Sequence, residues 1–120
     1  DGKKLYDILY SALDAGATEL YESGRDDFFA AQNADGEEQE ELLSQAYRKL
    51  NRATAHLEEE SHEWWMSSYY LGCVLYWQEQ YEEARTMAQD LMSRYWNVGD
   101  EYYNLLGALY NDAEEALNGG

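Results

Sequence analysis

A chain of 120 residues with no proline, whose β-branched residues are only Ile8, Val74, Val98 and three threonines, has little from which to build a sheet. β-branched side chains suit the pleated, half-buried surface of a strand, and here tyrosine and tryptophan alone would have to replace them. The segments between the glycines are filled instead with Glu, Leu, Ala, Gln and Met, which lose little freedom inside a helix. The chain therefore reads as all-α, with about five antiparallel helices packed as a small array or bundle in one domain, 1–120.

Apolar spacing places the helices. Leu5, Ile8, Leu9, Ala12, Gly16, Ala17 and Leu20 recur at three- and four-residue steps, which predicts a helix near 3–22. Ser23-Gly24 is the expected stop. An irregular insert over 24–36 follows, in which Asp26 caps a short turn carrying Phe28 and Phe29 before Asn33-Ala34-Asp35-Gly36 breaks the chain again. Leu43, Ala46, Leu50, Ala53 and Leu57 step by 3, 4, 3 and 4, a heptad-like stripe on a second helix near 37–60. Glu37, Glu38, Glu40 and Glu41 suit the positive end of its dipole, with Arg48, Lys49 and Arg52 farther along. The stripe fails at Glu58-Glu59-Glu60, so a boundary falls near Ser61, which is placed to cap a third helix near 62–77.

Eleven of the fourteen residues from Trp64 to Trp77 are apolar or aromatic. A helix with no polar face is buried on most sides or meets a partner, and in so small a domain it is expected at the centre. A fourth helix near 81–96 carries Tyr81, Ala84, Ala88, Leu91 and Tyr95 on one face. Asn97-Val98-Gly99-Asp100 supplies a glycine stop and an aspartate cap. A fifth, near 101–117, carries Tyr102, Leu105, Leu106, Leu109, Ala113 and Leu117.

Hydrophobic residues make up 45% of the chain, enough for a core despite a mean hydropathy of -0.76. The longest apolar stretch, Trp64 to Trp77, is too short to span a bilayer and is interrupted by Ser67, Ser68 and Gly72. With no charged, apolar leader, the expectation is a soluble protein with no targeting or membrane segment and no assignable compartment. The ends, Asp1 and Asn118-Gly119-Gly120, suit a processed, excised or designed chain equally. The net charge of -17, from 25 acidic against 8 basic residues, is spread along the whole length. Such a surface repels nucleic acid and anionic lipid and attracts basic partners, and it also keeps an aromatic-rich protein dispersed.

Over residues 68–92, SYYLGCVLYWQEQYEEARTMAQDLM resembles one tetratricopeptide repeat, through Leu71-Gly72, Tyr76, Tyr81 and Ala84. Glu79 stands where that motif has its turn glycine. YYNLLGALYNDAEEAL at 102–117 resembles the first helix of a repeat, with Leu106-Gly107 and Tyr110, and would serve as a closing helix. The resemblance implies a tetratricopeptide-like array, with Gly72 and Ala84 letting the hairpin's helices approach closely, and a scaffold whose concave face grips a peptide. The family's usual basic clamp residues have no counterparts here.

Chemistry finds few candidates. His56, His62, Glu59 and Glu60 form the one metal-like cluster, with a Glu-x-x-His spacing at Glu59 and His62, but di-iron bundles need two such pairs. Cys73 excludes an internal disulfide and has no base nearby in sequence, so it reads as a small buried hydrophobe. No phosphate loop or dinucleotide fingerprint occurs. The expectation is no catalytic residue, no metal and no cofactor.

Aromatics carry the functional reading. Twelve of the eighteen lie between Trp64 and Tyr110. Tyr and Trp combine large contact area with a polar tip, so the cluster is either a bulky core or a binding groove. The groove would be drawn from Trp64, Trp65, Tyr69, Tyr70, Tyr76, Trp77, Trp96, Tyr102, Tyr103 and Tyr110. The leading expectation is a non-enzymatic binding module whose aromatic groove takes a basic or amphipathic peptide or protein, steered by the acidic rim. A helical bundle, natural or designed, that holds a small aromatic molecule between its helices is the alternative. An acidic nucleic-acid mimic is a third. Oligomeric state stays open, since the adjacent Trp64 and Trp65 would equally well close a dimer.

Overall fold

The structure, a computed structural model, describes residues 2–95, 97 and 99–119, with side chains from residue 16 onward. Leu5, Ile8, Leu9 and Ala12 of the first stripe, and Trp96 and Val98, lie outside the described side chains. Among the described residues there are five helices and no strand: α1 Gly2–Gln32, α2 Gly36–His56, α3 His62–Trp77, α4 Tyr81–Arg94 and α5 Glu101–Gly119. The chain is all-α. Its contacts gather into two compact units, residues 1–68 and 69–120, so α3 gives its first part to one and its second part to the other. A length of 120 residues suggests a single domain, and neither length nor helical periodicity carries information about which helices share contacts.

In the first unit, α1 runs unbroken through Ser23-Gly24, and only 33–35 leave the helix where an insert over 24–36 was expected. Gly24 is buried where α1 meets α2. A Cβ there would lie 2.8 Å from Leu50 Cγ and 3.1 Å from Lys49 Cβ, so this glycine permits close approach of two helices instead of ending one. Asp26 consequently has no helix start to cap and pairs weakly with Arg25 at 3.4 Å. Phe28 is buried and Phe29 is exposed. The turn into α2 is held by Gln39, whose Nε2 donates to the Ala31 and Ala34 carbonyls at 3.0 Å each, and by Gly36 at φ +59°.

Leu43, Ala46, Leu50 and Ala53 of the α2 stripe are buried as their spacing predicts. The helix stops at His56, short of the expected residue 60, with Leu57 extended and Glu60 at φ 64°. Continuing would place three consecutive glutamates at the negative end of the dipole, where acids are disfavoured. Ser61 then caps α3, its Oγ accepting from the Trp64 N–H at 3.2 Å. Lys49 Nζ donates to Ser23 Oγ and Asp27 Oδ2, both at 2.8 Å, tying α2 back to α1. Thr18 bonds the Glu63 carboxylate, and the Thr54 and Ser67 hydroxyls meet at 2.8 Å, joining the start of α3 to the same unit.

In the second unit the rest of α3 packs with α4 and α5. Glu79, in the turn between α3 and α4, has φ 64°, a left-handed conformation that glycine adopts at less cost. A Cβ on Gly72 would come 2.9 Å from Leu109 Cδ2 and 3.6 Å from Met87 Sδ. Ala84, Ala88 and Leu91 of α4 and Tyr102, Leu106, Leu109 and Ala113 of α5 form the buried faces. α4 ends at Arg94, two residues before the expected end, where Tyr95 turns extended and its N–H bonds the Leu91 carbonyl at 2.9 Å. Asp100 caps α5: its Oδ1 accepts from the Tyr103 N–H at 2.9 Å, and Gly99 turns the chain at φ +97°. Arg85 and Glu114 link α4 to α5 at 3.0 Å.

Candidate functional site

The expected groove residues fall into three settings. Trp64 and Trp65 pack edge-to-face, with centroids 4.9 Å apart, and each is only 8% exposed. Both are core residues, and as placed neither offers surface to a partner. Tyr69, Tyr95 and Tyr102 form a chain of rings, 6.3 Å from Tyr69 to Tyr102 and 4.8 Å from Tyr95 to Tyr102. Tyr102 is buried and Tyr69 half-buried beside Tyr70, whose ring lies 5.3 Å away. Burial pushes the phenols of both Tyr69 and Tyr102 well above the ordinary tyrosine range, so these rings stay neutral. Tyr103 and Tyr110 are half-buried on α5. Trp96 lies outside the described residues.

The third setting is the turn between α3 and α4. Tyr76 and Tyr81 approach edge-on at 5.3 Å, both half-buried, and the neighbouring Trp77 is 39% exposed. Burial raises the Tyr76 phenol, and the negative charges of Asp112 and Glu115 on α5 raise it further. Both carboxylates are exposed, and their negative charge reaches the Tyr76 phenol. Tyr81 was expected only as a core residue of the fourth helix. The sequence signal for its pairing with Tyr76 is the five-residue spacing across a tight turn, which carries a tyrosine on each side.

Elsewhere the chemistry is sparse. The half-buried Cys73 thiol is pushed up to about 12 by burial, against which a hydrogen bond from Tyr69 works, so it stays protonated at neutral pH and is a poor nucleophile. His56 ends α2 and His62 begins α3, so the two histidines sit on different helices. Among the described residues no group of three or more His, Cys, Asp or Glu converges as a metal would require. None of the helices, over the described residues, is long and apolar enough to cross a membrane.

A second feature was not singled out as a site from the sequence. A shallow cleft of about 570 Å³ opens on the first unit, lined by Leu20 of α1 and, on α2, by Tyr47, Arg48, Asn51, Arg52 and His56 among others. Its signal in the sequence is an interruption of the acidic pattern: residues 42–57 contain three cations and no acid.

Compared with known proteins, the chain matches no family model, no curated protein and no solved structure.

Proposed function

We propose that this protein is a non-enzymatic binding module that takes a basic or amphipathic peptide on the aromatic patch at the turn between α3 and α4. The observation that carries this reading is the half-buried pair Tyr76 and Tyr81 at 5.3 Å, with the carboxylates of Asp112 and Glu115 acting on the same site. A lysine or arginine laid against tyrosine faces gains a cation-π attraction of roughly 0.5–2 kcal/mol, depending on how far it is desolvated. An adjacent carboxylate adds a charge-assisted hydrogen bond. Trp77, exposed and next to Tyr76 in the chain, provides apolar area for the hydrophobic side of an amphipathic peptide. The net charge of -17 draws a basic partner from a distance, contributing mainly to the association rate. The helical-hairpin resemblance over 68–92, which spans Tyr76 and Tyr81, agrees with a peptide-binding scaffold.

Titration calorimetry with an amphipathic lysine-leucine peptide tests the reading. Replacing both Asp112→Asn and Glu115→Gln is expected to weaken binding about tenfold, equivalent to about 1.4 kcal/mol. Tyr76→Ala is expected to weaken it by a similar factor, and raising the salt severalfold should weaken it further. Unchanged affinity in both variants would remove the patch as the site, and affinity indifferent to salt would remove the steering.

A further inference from the structure

Arg48 and Arg52 are left unexplained by the aromatic patch. In a chain with 25 acidic against 8 basic residues, a cation readily finds an acid, and Arg25, Lys49 and Arg85 each form an ion pair. Arg48 and Arg52, both exposed, form none among the described residues. The residues three and four positions from Arg48 are Ser44, Gln45, Asn51 and Arg52; those around Arg52 are Arg48, Lys49, Ala55 and His56. None is a carboxylate. Like charges at these spacings oppose one another on a helix surface, and a single glutamate at 44, 45, 51 or 55 would relieve the conflict. The flanking Glu37–Glu41 and Glu58–Glu60 show that acids are otherwise abundant in this region. A local rule broken with no compensating ion pair among the described residues is what a surface kept for a partner would show.

We propose that this face of α2 is a second binding site, independent of the aromatic patch, and that it holds an acidic peptide segment in extended conformation. Four residues of helix advance about 6 Å, so Arg48, Arg52 and His56 form a ladder with about 6 Å steps. Alternate side chains of an extended strand lie about 6.6 Å apart on one side, so successive glutamates or aspartates at that spacing meet successive arginines. Each guanidinium fork takes one carboxylate in bidentate fashion, a geometry lysine does not offer. Asn51 and Tyr47, in the same cleft, add an amide donor and an aromatic surface for the intervening side chains. Charge complementarity selects this occupant and confines it: the surrounding surface repels an acidic segment, and the acid-free stretch 42–57 accepts it. At about 0.15 M salt the Debye length is about 8 Å, so the local cations outweigh the distant acids there.

The test uses the full chain at about 0.15 M salt, titrated with a peptide of alternating glutamate and serine and followed by backbone amide chemical shifts. Saturable shifts confined to residues near 47–56 are expected, with no response to the matching glutamine-serine peptide. The variant Arg48→Gln/Arg52→Gln changes only exposed residues, so its helix content by circular dichroism should match the parent while its affinity falls about tenfold or more. Any one of four results overturns the proposal: no saturable shifts at millimolar peptide, shifts centred outside the cleft, an equal response to the glutamine peptide, or parental affinity in the double variant. Inorganic phosphate binding as tightly as the peptide also overturns it, leaving a simple oxyanion site.

Discussion

The dipeptides Leu71-Gly72 and Leu106-Gly107 are the same pair of letters in similar helical surroundings, and the structure gives the two glycines opposite roles. An added Cβ at Gly107 meets nothing within 4 Å, whereas at Gly72 it meets Leu109 Cδ2 at 2.9 Å. Gly107→Ala is therefore expected to stabilise the protein by up to about 1 kcal/mol, through the backbone freedom that alanine removes from the unfolded chain. Gly72→Ala gains the same propensity, but Leu109 is buried and must shift; overpacking costs about 1–3 kcal/mol, so a net loss is expected. Urea denaturation of the two variants measures both, and a gain at Gly72 would show that Leu109 yields freely. Gly24 belongs with Gly72, pressed against Leu50, although beside Ser23 it reads in sequence as a helix stop.

At the scale of the element, helix ends obey local chemistry and so can be tested locally. Asp100 accepts from the Tyr95 hydroxyl at 2.6 Å, from Asn97 at 3.2 Å and from the Tyr103 N–H, and these bonds, the Tyr95 one foremost, hold its carboxyl below the ordinary aspartate value of 3.8. A depressed folded-state value means the unfolded chain takes up the proton first. The contribution is thus present above about pH 3.8 and is lost as pH falls below it. Asp100→Asn keeps an acceptor for the Tyr103 N–H but cannot titrate, so it is expected to retain α5 while flattening the acid limb of the stability profile. Urea midpoints measured against pH for parent and variant decide this, and parallel acid limbs would exclude Asp100 as the titrating group. Ser61 and Asp100 were both legible as caps because a cap reads only its next three residues. α2 ends at His56, short of the expected residue 60, and the difference arises because an apolar stripe reports which face is buried and not the cost of Glu58-Glu59-Glu60 at a helix C-terminus.

Across the whole molecule, alkaline stability rests on phenols that burial keeps neutral. Tyr69 and Tyr102 are raised well above 10.0, so the unfolded chain releases these protons first; their contribution is complete below pH 10 and is lost as pH rises beyond it. Phenolate absorbance and helicity followed in one alkaline titration should show the last tyrosines ionising together with loss of helix. Ionisation of all twelve near pH 10 with helicity intact would contradict their burial. Sequence alone determined the all-α class, the core faces of α2, α4 and, apart from the exposed Leu117, α5, and two of the helix caps, because each depends on neighbours within about four residues. It singled out Tyr76 and Trp77 among the candidate groove aromatics but read Tyr81 only as a core residue of the fourth helix. Only tertiary structure decided that Trp64 and Trp65 are core, that Tyr76 pairs with Tyr81 within electrostatic reach of carboxylates of α5, that α1 continues through Gly24, and that contacts divide into two units. Each of these depends on which surfaces meet across tens of residues, and helical periodicity specifies a face without specifying what covers it.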